Sequence, residues 1–264
     1  MKAVPVGDIQ LSVLDRGSGG IPILFVHGFP LDHSMWQGQI DYFAEHERVI
    51  VPDLRGFGRS DVTTGTVTME QMADDLAQLL DALHVTEPVI FCGLSMGGYV
   101  GWQFWKRHPQ KLRALVQCDT RAIGDSPEAA AQRLKLAQRV VLEGSEFVVA
   151  SMMPRLFSDA TLAGQPEIVA ATRRVMQTSP VEGIAAAARG MAVRENFLDQ
   201  LEKIDVPTLI VVGEHDAIAT PEEMRFISEA IPDSAWLQMP GVGHMAPLEN
   251  PHVFNEALAE FITL

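Results

Sequence analysis

The chain has 264 residues, 47% of them hydrophobic, with 20 basic and 34 acidic side chains and a formal net charge of −14 at pH 7. The length suits a single large core, and the charge argues against a nucleic-acid phosphate backbone or an anionic membrane surface as partner. No run approaches the ~20 apolar residues of a membrane span, and Met1 to Gly7 carry no basic segment followed by an apolar one, so the expected compartment is the cytoplasm.

The chain begins β-rich through Leu14 and then alternates strands with helices, the pattern of a mostly parallel sheet covered on both faces. Ile21 to Val26 is a continuous apolar run that ends in His27-Gly28-Phe29-Pro30. Thr68 to Leu83 has apolar residues at helical spacing, and Thr68 with Gln71 is a candidate capping box. Pro88 to Cys92 reads as a short buried strand, Gly93-Leu94-Ser95-Met96-Gly97 as a tight turn, and Tyr99 to His108 as a helix. Leu112 to Cys118 is the next strand. Residues 121–201 contain no convincing strand and read as several helices punctuated by glycine and proline, a helical cap set into a core of residues 1–120 and 202–264. Two more strands follow, Thr208 to Val212 before Gly213-Glu214-His215-Asp216 and Ala235 to Met239 before Gly241-Val242-Gly243-His244. Between them, Thr220-Pro221-Glu222-Glu223 supplies an N-cap, a first-turn proline and a boxed glutamate.

A serine between two glycines at a strand-to-helix turn is a candidate nucleophile elbow. Side chains at Gly93 or Gly97 would collide across such a turn, and the helix start directs the Met96 N–H toward the reacting centre. Serine needs a base and a carboxylate to orient that base, and His244 and Asp216 follow Ser95 in the order Ser, Asp, His. Phe29 N–H is the second candidate oxyanion donor, because Pro30 has no N–H. His27 reads as a loop-holding residue. Glu214 and His215 read as bystanders. None of the eight histidines falls in an H-E-x-x-H or similar spacing, so neither metal nor cofactor is expected. Cys92 and Cys118 read as buried reduced thiols.

With these motifs and Asp53-Leu54-Arg55-Gly56-Phe57-Gly58-Arg59-Ser60, the chain resembles the α/β-hydrolase superfamily nearly end to end, in its branch of small cap-bearing esterases, enol-lactonases and carbon–carbon bond hydrolases. The resemblance implies an eight-stranded, mostly parallel sheet with the cap inserted after the sixth strand. In some members the acid follows the sixth strand, which makes Asp119 the rival of Asp216. Asp216 is preferred for its glycine-led turn and downstream helix.

The implied activity is hydrolysis of small to medium carboxylic esters through an acyl-enzyme, with a small-molecule ester or lactone as partner. An enol-lactonase would need a cation for the substrate's free carboxylate. Arg121 is the candidate, against the alternative that it pairs with Asp119 or Asp125. Met153 and Phe157 are candidates for lining the pocket under the cap. A carbon–carbon hydrolase, a lyase and a ligand-binding receptor with little turnover remain the alternatives.

Overall fold

The computed structural model describes residues 1–263. Eight strands form one sheet in the order β1-β2-β4-β3-β5-β6-β7-β8: β1 (Lys2–Val6), β2 (Ile9–Arg16), β3 (Ile23–Val26), β4 (Val49–Pro52), β5 (Val89–Leu94), β6 (Leu112–Cys118), β7 (Thr208–Gly213) and β8 (Ser234–Met239). The β1–β2 and β2–β4 pairs are antiparallel and the remaining pairs parallel. Parallel strands need crossovers, and α1 (Gln37–Phe43), α2 (Met69–Ala82), α3 (Met96–Arg107) and α9 (Pro221–Ala230) supply them, with α10 (Ala246–Glu249) and α11 (Pro251–Ile262) closing the chain.

Alternation along the strands sorts side chains onto two faces. Leu24, Val26 and Phe91 join one buried cluster with residues of α2 and α3, while Ile23, Phe25, Ile90 and Cys92 join a second with residues of α1 and α11. The sheet is thus apolar on both sides, as its uninterrupted hydrophobic strands require.

The third strand begins two residues later than the apolar run, at Ile23, and α3 begins at Met96 instead of Tyr99. Gly97 and Gly98 weaken the helix signal locally, yet both are buried, and close packing overrides their low propensity. Thr68 Oγ1 accepts the Gln71 N–H at 3.2 Å as an N-cap, without the reciprocal bond, whereas Thr220 and Glu223 form the full capping box.

Between β6 and β7 stand five α-helices, a short 3-10 helix (Leu198–Lys203) and no strand, the α-helices being α4 (Pro127–Glu143), α5 (Ser145–Leu156), α6 (Asp159–Gly164), α7 (Pro166–Thr178) and α8 (Val181–Ala192). Ile184, Ala185 and Met191 of α8 are buried in the same cluster as the α2 core residues. No helix among the described residues is long and apolar enough to cross a membrane.

Candidate active site

The strand order reverses direction between β3 and β5, since the chain goes from β3 to β4 on one side and then to β5 on the other. In an open parallel sheet such a switch point leaves a crevice at the carboxyl ends of the strands. Val26 pairs with Gly93 there, which sets Phe29 and Ser95 in neighbouring loops. Leu94 pairs with Cys118 and Gly213 with Met239, so Asp119, Asp216 and His244 emerge at the same edge.

Ser95 has φ 53° and ψ −109°, a backbone rarely adopted by a residue with a side chain. Its conformation is over-determined by its neighbours: its N–H donates to Cys118 O at 2.9 Å, and its carbonyl accepts from Gly98 N, Tyr99 N and Thr120 Oγ1 at 2.9, 3.2 and 2.7 Å. A Cβ at Gly97 would strike the Val26 carbonyl, and one at Gly93 the Gly97 backbone. These glycines let the turn close.

Phe29 and Met96 make no backbone N–H donation within the protein among the described residues. The Phe29–Pro30 peptide is cis. His27 fastens this loop: its Nε2 accepts Leu54 N–H at 2.9 Å, which leaves Nδ1–H to donate to Gly28 O at 2.8 Å. Burial holds this histidine below the usual imidazole range, consistent with a neutral ring. A second clip joins the same loops. Asp53 accepts the His33 backbone N–H at 2.9 Å and lies 2.6 Å from His33 Nδ1; this bond raises the His33 pKa despite partial burial.

His244 and Asp216 are 3% and 4% exposed, and Asp216 Oδ2 lies 2.8 Å from His244 Nδ1. Asp216 Oδ1 accepts the N–H groups of Ile218 and Ala219 at 2.7 and 3.0 Å. The carboxylate is therefore fixed by its own turn, and His244 Nε2 has no protein hydrogen-bond partner among the described residues. Asp119 stands behind this pair, its Oδ1 accepting Gly213 N–H at 2.8 Å and its Oδ2 buried without a partner. Burial, reinforced by the Asp216 charge, pushes Asp119 well above the usual carboxylate range. The geometry thus joins His244 to Asp216 and leaves Asp119 beside the pair, hydrogen-bonded to Gly213 instead.

Two groups of possible metal donors occur among the described residues, Asp32 with His33 and Asp53, and Asp119 with Asp216 and His244, the candidate atoms within each group lying within 4.8 Å of one another. In each set the histidine is already hydrogen-bonded to an aspartate.

Arg121 pairs with Glu223, not with Asp119 or Asp125. Asp119 faces inward to Gly213, and Asp125 is taken by Arg133 and the buried Arg194. Met153 and Phe157 are 4% and 5% exposed and share a buried cluster with Leu31, Val242 and Met245. Sequence reading missed Glu249, a buried carboxylate that accepts N–H groups from either side of His244.

A family model described as the alpha/beta hydrolase fold matches residues 21–251. The chain belongs to the alpha/beta hydrolase fold family. Among similar hydrolases is 3-oxoadipate enol-lactonase 2 of Acinetobacter baylyi, 29% identical over 253 residues, covering 95% of this chain and 92% of that one. Among solved hydrolase structures, a thermophilic esterase from Thermogutta terrifontis, with malate bound, superposes with a TM-score of 0.96 at 43% identity, covering 99% of this chain and 97% of that one. An enol-lactonase from Burkholderia xenovorans gives 0.92 at 28% identity over 100% of both chains.

Proposed function

We propose that this hydrolase cleaves small carboxylic esters through an acyl-enzyme, with Ser95 as nucleophile, His244 as base and Asp216 as the acid that orients it. The observation that carries the reading is the strained Ser95 turn at the same sheet edge as the Asp216–His244 hydrogen bond of 2.8 Å. His244 Nδ1–H is tied to Asp216, so Nε2 presents a lone pair that removes the Ser95 proton during attack on the carbonyl carbon. The N–H groups of Phe29 and Met96 stabilise the tetrahedral oxyanion, and losing one such donor typically costs roughly a hundredfold to a thousandfold in kcat. His244 then protonates the leaving alcohol, and water repeats the sequence to release the acid. A serine nucleophile also sets this chemistry apart from mechanisms that form an ester on an enzyme carboxylate.

Residues 121–201 act as a cap over the strand ends, and Met153 and Phe157, buried in its segment, are the candidates to bound the acyl side of the substrate site. Enol-lactone cleavage is the second reading, favoured by the two similar enol-lactonases. It uses the same attack on an acyl carbon. The pairing of Arg121 with Glu223 weighs against Arg121 as the carboxylate anchor. The free, buried thiols of Cys92 and Cys118 support a cytoplasmic enzyme.

Steady-state hydrolysis of p-nitrophenyl acetate, butyrate and octanoate tests the proposal, with folded Ser95→Ala as control. Sustained turnover lost in the variant supports a Ser95 esterase. Inactivity on all three, with turnover of an enol-lactone, assigns the second reading.

A further inference from the structure

We propose that Glu249 is a positioning residue that holds the His244 loop in register and ties it to the helical segment between β6 and β7. The role rests on the reading of His244 as base. Glu249 is 3% exposed, and no basic side chain pairs with its carboxylate among the described residues. A buried carboxylate without a counter-cation needs strong donors, and three backbone N–H groups converge on this one. Oε1 accepts from Gly243 at 2.9 Å and Met245 at 3.2 Å, the two residues that flank His244. Oε2 accepts from Ser158 at 3.1 Å.

Ser158 is the N-cap of α6, and Gln165, at the other end of that helix, donates its side-chain amide to the Glu249 carbonyl at 3.1 Å. Both ends of α6 are thus fastened to one residue, and that residue's carboxylate brackets the base. Short α10 makes this possible: it starts at Ala246 with Pro247 in its first turn and brings Glu249 back over the loop, where its N–H also bonds Met245 O at 2.9 Å. A shift of α6 therefore pulls directly on the backbone either side of His244. Cap placement and base alignment are one mechanical unit.

The two oxygens can be separated by substitution. Glu249→Gln keeps an acceptor for Gly243 and Met245 but sets its amide donor against the Ser158 N–H. Glu249→Ala removes all three bonds. Ser158→Ala removes the α6 cap and retains the backbone N–H, whereas Ser158→Pro removes both; the φ of −66° at Ser158 already suits proline.

The experiment is steady-state hydrolysis of p-nitrophenyl butyrate, normalised to sites titrated with a p-nitrophenyl phosphonate, well below each variant's Tm. A merely structural residue changes Tm and the fraction of titratable sites, but not the rate per competent site. The expected result is a fall in kcat per site of ~10- to 100-fold in Glu249→Ala with KM little changed, a smaller fall in Glu249→Gln, and a lower rate in Ser158→Pro than in Ser158→Ala. If Glu249→Ala fails to fold, the Glu249→Gln and Ser158 comparisons decide. Unchanged rates per site, with only Tm lowered, overturn the proposal. His244→Ala is the separate control: full turnover in that variant refutes the base assignment itself.

Discussion

Asp216 and His244 stand 28 residues apart in the chain and 2.8 Å apart in the structure, with the second carboxylate oxygen of Asp216 already bonded to the N–H groups of Ile218 and Ala219. Division of labour between the two oxygens fixes the orientation of the imidazole. One holds the loop, and the other lies against Nδ1, which in the proposed mechanism leaves Nε2 free to accept a proton.

Asp216→Asn tests this arrangement. The amide oxygen is retained by the Ile218 and Ala219 donors, which turns the NH2 group toward His244 Nδ1 and forces the wrong tautomer. We expect kcat to fall by roughly four orders of magnitude with little change in Tm, read by turnover and calorimetry.

Gly97 separates a steric requirement from helix propensity. A Cβ there meets the carbonyls of Val26 and His27, so Gly97→Ala should destabilise the fold by roughly 1–3 kcal/mol and disturb the Ser95 turn. A Cβ at Gly164, in α6, meets nothing within 4 Å, and Gly164→Ala should be neutral or stabilising by up to ~1 kcal/mol. Urea midpoints of the two variants check the contrast.

Asp119 makes stability depend on pH. Its carboxyl is raised from 3.8 by burial and then by Asp216, so over part of the pH range above 3.8 the native state keeps a proton that the unfolded chain has released. This contribution is fully present below pH 3.8 and lost as pH rises through the native value. Asp119→Asn retains an acceptor for Gly213 N–H and places an uncharged NH2 where the protonated oxygen stands. Its Tm relative to the native protein should rise as pH increases above 3.8; a constant or falling difference would count against a raised Asp119 carboxyl.

Both cysteines are buried, and burial raises the Cys118 thiol well above its ordinary range. Thiolate is the reactive form, so the native protein should be inert to a disulfide reagent such as DTNB, and two thiols should titrate only on unfolding. Fast reaction of either in the native state would contradict this burial.

The fold, and the sheet edge at which the candidate site residues emerge, were legible because their signals are local. Glycines flank Ser95, and apolar strands end just before Phe29, Asp216 and His244, so short stretches of sequence placed each at the sheet edge. What escaped the sequence depends on distant partners. The donors to Glu249 lie 4, 6 and 91 residues away, and only the folded chain brings them together. Arg121 looked to nearby aspartates, but its partner Glu223 is 102 residues on, since Asp119 turns into the core and Asp125 is held by two other arginines. The start of α3 was missed for a related reason: Gly97 and Gly98 are poor helix formers chosen for close approach to β3 and β6.

Covalent labelling tests the central claim most directly. The native protein, treated with a p-nitrophenyl phosphonate and mapped by peptide mass spectrometry, should carry a single adduct on Ser95, with none in Ser95→Ala and greatly slowed labelling in His244→Ala. Ester turnover without a Ser95 adduct, or an adduct on another residue that tracks the loss of activity, would contradict it.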